Sequence, residues 1–338
     1  MIRPDRILLL CLFAVSLLSG CRKELCYNHE EHSLTVKFNA VASWMCEWEV
    51  AGFKDWSTEW NPAWPREYDE FRPDPAEGIR AVVYTGDKAV EYNIGTEGGR
   101  VQMSEGTHSI LFYNNDTEYI VFDQLNSSGT ASATTRTRTR SGFKALHEGE
   151  RTITPPDILY SEYIEEYVAE KTLEPIDIPI TMHPLTFKYL VRYRFKSGQK
   201  YLLRAQGALA GMAEKVYLQD GHTDGTASTI LFDCKVDDLG CTATIQSFGV
   251  PDYSVTEGYT TDQSDKRYTL TLEVQLKNGK KLDFEFDVTD EVKAQPRGGI
   301  LQVTDIEISD EDGQQGSGGF DPDVDDWGDE IEIPLPIG

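Results

Sequence analysis

The chain has 338 residues, with 57 Asp and Glu against 32 Lys and Arg and a formal net charge of −25 at pH 7. That length accommodates two domains of ordinary size, each large enough for a core of its own. So acidic a surface excludes nucleic acid and anionic lipid as electrostatic partners.

In chain order, Arg3 and Arg6 precede an apolar run, ILLLCLFAVSLL, from Ile7 to Leu18. The run is shorter than the roughly 20 residues a spanning helix needs. A basic start, a short apolar middle and small residues at its end describe a secretory signal peptide over residues 1–20. Its end, Leu18-Ser19-Gly20-Cys21, resembles the bacterial lipobox. The resemblance implies a diacylglycerol on the Cys21 sulfur, cleavage before it and acylation of the freed amine, with residues 21–32 as the tether. Acyl burial is worth about 0.8 kcal/mol per CH₂, and two or more chains hold a protein stably at a bilayer. Within the tether, His29-Glu30-Glu31-His32 has a spacing of three, unlike the zinc-binding helix motif, and reads as solvated linker.

Residues 33–172 are expected to form an N-terminal β-sandwich domain. Its strand candidates are SLTVKFNA from Ser33, RAVVYT from Arg80, HSILFYN from His108 and EYIVFDQL from Glu118. Trp44, Trp48, Trp56, Trp60 and Trp64 crowd into one window. Two readings stand: a platform for a sugar or a partner protein, or loop tryptophans packing onto the end of a sandwich. SSGTASATTRTRTRSG, Ser127 to Gly142, lacks large apolar residues and is expected to be a mobile loop, within which Arg136, Arg138 and Arg140 are candidate proteolysis sites. ILYSEYIEEYVAE, Ile158 to Glu170, follows Pro155-Pro156 and is read as a helix.

Pro175, Pro179 and Pro184 mark an extended linker, residues 173–184, leading to a C-terminal β-sandwich domain over 185–338. There KYLVRYRF from Lys188 and TILFDCKV from Thr229 are strands, and ALAGMAEKV from Ala208 is read as a short helix. Cys234 and Cys241 bracket a turn, where a cross-hairpin disulfide and a pair of reduced thiols are both open; Cys26 and Cys46 are the other candidate pair. RYTLTLEVQLK alternates apolar and polar residues, Asn278-Gly279 is a strong hairpin turn, and KLDFEFDVT resumes the alternation. In DPDVDDWGDEIE, Asp321, Asp323, Asp325, Asp329 and Glu332 fall at ligand positions of a calcium-binding loop. The sixth position, which needs glycine, holds Asp326, so the segment reads as a solvated acidic loop. The final DEIEIPLPIG carries Pro334 and Pro336 at one parity, so it is expected to be a sheet-edge strand with its proline side unpaired.

No GxSxG, HExxH or phosphate-loop pattern occurs in the mature chain. No enzyme activity, metal or cofactor is expected. The fold class expected is all-β, two tandem Greek-key sandwiches with few short helices.

The lipobox, the two sandwiches, ALAGMAEKVYLQDG, SFGV and the closing GGFDPDVDDWGDEIEIPLPI together resemble the fimbrillin and fimbrial-anchor lipoproteins of Bacteroidales, in an uncharacterised branch. The resemblance implies transthyretin-like sandwiches, display at the cell outer membrane through acylated Cys21, and assembly by strand exchange. Shaft subunits of that family lose an N-terminal strand to an arginine-specific protease, and a neighbour's strand fills the groove. Here Arg136 to Arg140 lie far inside the first domain, and the Pro334/Pro336 edge cannot pair on both sides. Both features depart from the shaft pattern. The expectation is therefore a non-catalytic anchor, accessory or tip subunit with fimbrial subunits or other surface proteins as partners. A surface glycan-binding lipoprotein of a polysaccharide-uptake system is the alternative, with glycans meeting the tryptophan cluster.

Overall fold

In the computed structural model, the described residues are 35–41, for which the backbone alone is considered, 75–138, 147–171 and 175–314. Cys21, Cys26, Cys46, the five clustered tryptophans, Arg140, the Asp321–Glu332 loop and the C-terminal DEIEIPLPIG lie outside them. The described chain is all-β and folds as two Greek-key sandwiches in tandem, with two short helices and one 3₁₀ turn among those residues.

The first sandwich pairs a three-stranded with a five-stranded sheet. In the small sheet, β1 (Thr35–Val41) lies between β4 (Gly99–Gln102) and β10 (Ile176–Thr181). The larger has the order β11 (His183–Pro184), β9 (Tyr160–Ala169), β5 (Gly106–Asn114), β2 (Gly78–Thr85), β3 (Lys88–Gly95). Alternate residues bring Ile79, Ala81 and Val83 of β2, Ile110 and Phe112 of β5, Val101 of β4 and Ile178 and Ile180 of β10 into one core. The segment expected to be a linker thus contributes β10 and β11 to this sandwich. Ile178 and Ile180 alternate inward, and Pro179 is tolerated because β10 has one strand neighbour among the described residues.

In the second sandwich β15 (Ala227–Asp237) belongs to both sheets. Its first part pairs with β13 (Leu202–Ala213), which continues to β19 (Thr269–Leu276) and β20 (Lys281–Asp287). Its last residues pair with β16 (Gly240–Ser247), which continues to β12 (Phe187–Ser197) and β21 (Gly299–Glu307). The core between the sheets includes Tyr189, Val191 and Tyr193 of β12, Ile230 and Phe232 of β15, and Leu270, Leu272 and Val274 of β19. The expected hairpin is β19–β20, with Gly279 at φ 86° in its turn. α1 (Thr289–Ala294) buries Val292 against the core, and α2 (Asp310–Gln314) lies beside the hairpin turn.

Both segments read as helices are bulged strands. In β9, Ile110 and His108 of β5 stand opposite Ile164 and Tyr167, so β9 carries one extra residue there. That residue resets the alternation, and Tyr160, Ile164 and Tyr167 all meet the core at a spacing that imitates a helix. In β13 a bulge between Ala210 and Met212 has Gly211 at φ 92°, and Leu209 and Met212 both point inward, three residues apart.

The two halves are stitched by strands. β6 (Ile120–Asp123) and β7 (Ser132–Thr135) form a small sheet with β14 (Val216–Tyr217) of the second half. This sheet covers Val82, Tyr84, Leu111 and Tyr113 on the outward face of the first sandwich. β8 (Thr152–Ile153) pairs in parallel with β15. Residues 127–138 are therefore not the mobile loop expected. Small buried residues, Ala131 and Ala133, let the strand lie flat between neighbours.

Cys234 and Cys241 are thiols, not a bridge. Cys241 stands opposite Val236, so the register never sets the two cysteines across from each other. Burial pushes the Cys241 thiol up to about 12. Packing is close at Gly207, where a Cβ would sit 2.2 Å from Phe232 Cε2 and 2.9 Å from Tyr193 Oη. Gly207→Ala is expected to lower stability by about 1–3 kcal/mol, read by urea unfolding; an unchanged midpoint would show that the Phe232 ring yields freely.

Candidate strand-complementation site

The strand that distinguishes the first sandwich is β1, because it is paired along both edges. Val36 to Val41 run parallel to β10, with Val36 opposite Ile176 and Val41 opposite Thr181. Thr35 to Phe38 run antiparallel to β4, with Thr35 opposite Gln102 and Phe38 opposite Gly99. Every strand pair satisfies backbone donors and acceptors that would otherwise be left over the core. A strand so placed is the central plank of its sheet. Take it away and two facing edges border a slot, β4 with Val101 on one rim and β10 with Ile178 and Ile180 on the other.

The slot is braced from the other sheet. Tyr92 of β3 donates its hydroxyl to the Gln102 carbonyl at 2.6 Å, tying the edge of the large sheet to β4, and burial raises the pKa of that phenol. In the same five-stranded sheet, the entry to β9 is fixed by Asp157. Its Oδ2 accepts the backbone N–H groups of Glu118 at 2.8 Å and Ile120 at 3.1 Å, and that of Tyr119 between them. Asn114 adds a second clamp, accepting the Tyr160 N–H at 2.7 Å and donating to the Ile158 carbonyl at 3.0 Å.

Of the sequence-derived site residues, Arg136 and Arg138 are described, and neither belongs to the sheet that holds β1. The Arg136 N–H donates to the Tyr119 carbonyl at 3.1 Å, its own carbonyl accepts from Thr154 at 2.9 Å, and its guanidinium lies 6.0 Å from the Tyr119 ring. Arg138 is held more firmly. Its N–H donates to the Thr152 carbonyl, Nη1 reaches the Leu231 carbonyl at 3.2 Å, and Nη2 pairs with Asp233 at 3.0 Å. A protease needs an extended segment with its backbone open, and here both backbones are engaged. Farther along, His147 is buried, with Nδ1 3.0 Å from Glu150 and Nε2 3.2 Å from Thr271, where it covers the outward face of β19. Sequence reading missed Asp157 and His147 because Glu118 to Ile120 and Thr271, which they meet, are distant from them in the chain.

Comparison with known proteins gives a consistent setting. A family model described as a domain of unknown function, DUF5119, matches residues 68–233. A protein of Bacteroides ovatus named as a fimbrium anchoring subunit, Fim4B, is 24% identical over 287 residues, covering 77% of this chain and 85% of its own length. The crystal structure of a Bacteroides ovatus protein described as an adhesin superposes with a TM-score of 0.58 at 19% identity, covering 87% of this chain and 95% of that one. The fimbrial anchor protein Mfa2 of Porphyromonas gingivalis superposes more loosely, with a TM-score of 0.41 at 11% identity over 80% of this chain and 90% of its own.

Proposed function

Starting from kinship with a fimbrium anchoring subunit and from the shared adhesin fold, we propose that this chain is an anchor or accessory subunit of a fimbrium at the cell surface. Its work is mechanical and adhesive, not catalytic, and its partners are other fimbrial subunits. The observation that carries the reading is the position of β1 between β4 and β10. A subunit that accepts a neighbour's strand must present that slot open, whereas one that ends the assembly at the cell keeps it filled by its own chain. β1 also follows the 21–32 tether directly, so acylated Cys21 would hold the outer membrane and β1 would hold the fold.

The test is a deletion strain complemented with wild type or with Cys21→Ser. Loss of the protein is expected to leave fimbriae shortened, detached or missing. Cys21→Ser is expected to move the protein from the membrane fraction into the soluble fraction and fimbriae into the medium. Fimbriae of normal length that stay attached in the deletion strain would overturn the anchoring role. Cys21→Ser protein that remains in the membrane fraction would overturn the lipid tether alone.

A further inference from the structure

In a chain of net charge −25, β12 carries Lys188, Arg192, Arg194 and Lys196. Because Tyr189, Val191 and Tyr193 face the core, Leu190 and Arg192 face the other way. Register assembles that outward face rung by rung. Arg192 stands between Thr242 and Gln302, with Lys235 beyond Thr242; Leu190 stands between Thr244 and Ile300. Four of these residues are buried although they point away from the core: Leu190 is 1% exposed, Arg192 4%, Thr242 6% and Ile300 8%. Arg192 Nη1 has no hydrogen-bond partner. Burial holds its guanidinium below the ordinary value, with Asp237 nearby acting in the opposite direction and Arg194 in the same one. A buried, charged donor without an acceptor is costly, and so marks a place where an acceptor belongs.

The chain itself supplies one. Ile308 donates to the Ser197 carbonyl at 3.0 Å, and Tyr201 Oη donates to Asp310 at 2.6 Å, so α2 sits at the end of β12 where the basic stripe begins. Residues 315–338 follow from there. They contain Asp321, Asp323, Asp325, Asp326, Asp329, Glu330 and Glu332, no Lys or Arg, and apolar residues at Val324, Trp327 and Ile331. From Ser197 back to Leu190 is about 23 Å at roughly 3.3 Å per residue, and an extended 315–320 reaches about 20 Å. We propose that the acidic segment Asp321–Glu332 docks across the outward face of β12, with a carboxylate accepting from Arg192 Nη1 and its apolar residues covering Leu190 and Ile300. The other long segment, 42–74, is held at both ends by strands of the first sandwich and carries Lys54, Arg66 and Arg72, so it fits a basic face less well.

This docking is independent of the fimbrial reading and is tested on the purified, full-length mature chain by amide hydrogen exchange. In wild type, amides of 321–333 are expected to exchange at least about tenfold more slowly than an unstructured chain. Arg192→Glu should abolish that protection while amides of β13 and β19 keep theirs. Should Arg192→Glu unfold the sandwich, the exposed pair Arg194→Glu with Lys235→Glu decides by the same readout. Unprotected 321–333 in wild type, or protection that survives these variants, would overturn the proposal. So would protection that grows with protein concentration, which assigns the face to a second copy, or variant-sensitive protection confined to 42–74.

Discussion

A chain lacking residues 21–41 is expected to lose the cooperative unfolding of its first sandwich, and a peptide spanning Ser33 to Ala42 is expected to restore it. The deletion strips partners from β10 along Ile176–Thr181 and from β4 along Gly99–Gln102 at once. Each backbone group left buried and unpaired costs about 1–3 kcal/mol, while an entire domain is stable by only about 5–15 kcal/mol. Several such groups suffice to unfold it. The peptide supplies the same donors and acceptors in trans, and mass action makes its rescue concentration-dependent. Circular dichroism during heating, with and without peptide, reads both effects. A deletion variant that melts like wild type would mean that β1 contributes nothing to the sheet. A scrambled peptide that rescues equally well would mean that the slot has no register.

Asp157→Ala is expected to be the most damaging single polar substitution outside the two cores. One carboxylate oxygen serves the N–H groups of Glu118, Tyr119 and Ile120, almost forty residues away in sequence, and so fixes the start of β6 to the entry of β9. Hydrogen bonds to a charged acceptor are worth more than neutral ones. With three donors orphaned, the loss is about 3 kcal/mol, which lowers Tm by roughly 6–12 °C in a protein of this size class. Asp157→Asn keeps an acceptor oxygen without the charge, and should fall between Ala and wild type. If Ala and wild type melt within about 2 °C of each other, solvent replaces the carboxylate adequately.

Where alternation was unbroken, sequence and structure agree closely: β2, β5, β12, β15 and the β19–β20 hairpin all lie on runs legible by eye. The failures share a cause. A bulge adds one residue and returns the next side chain to the same face, so Tyr160, Ile164 and Tyr167, and likewise Leu209 and Met212, acquire helical spacing inside strands. The Ser127–Arg138 stretch failed differently. Alanine and threonine carry little hydrophobic signal, yet Ala131 and Ala133 are buried because flat packing there requires small side chains. The linker expected at 173–184 hid β10, since prolines obscure a strand that has one neighbour among the described residues. The slot around β1 was beyond any local reading. Its three strands lie at positions near 38, 101 and 178, and no short window contains more than one of them.

The parallel ladder between β1 and β10 also sets how the molecule responds to force. Tension arriving from the N-terminal side pulls β1 lengthwise, so the bonds of both ladders resist together in shear instead of peeling open one after another. A strand loaded along its axis behaves as a clamp, and the grip of this protein would be rated by the force at which that clamp slips.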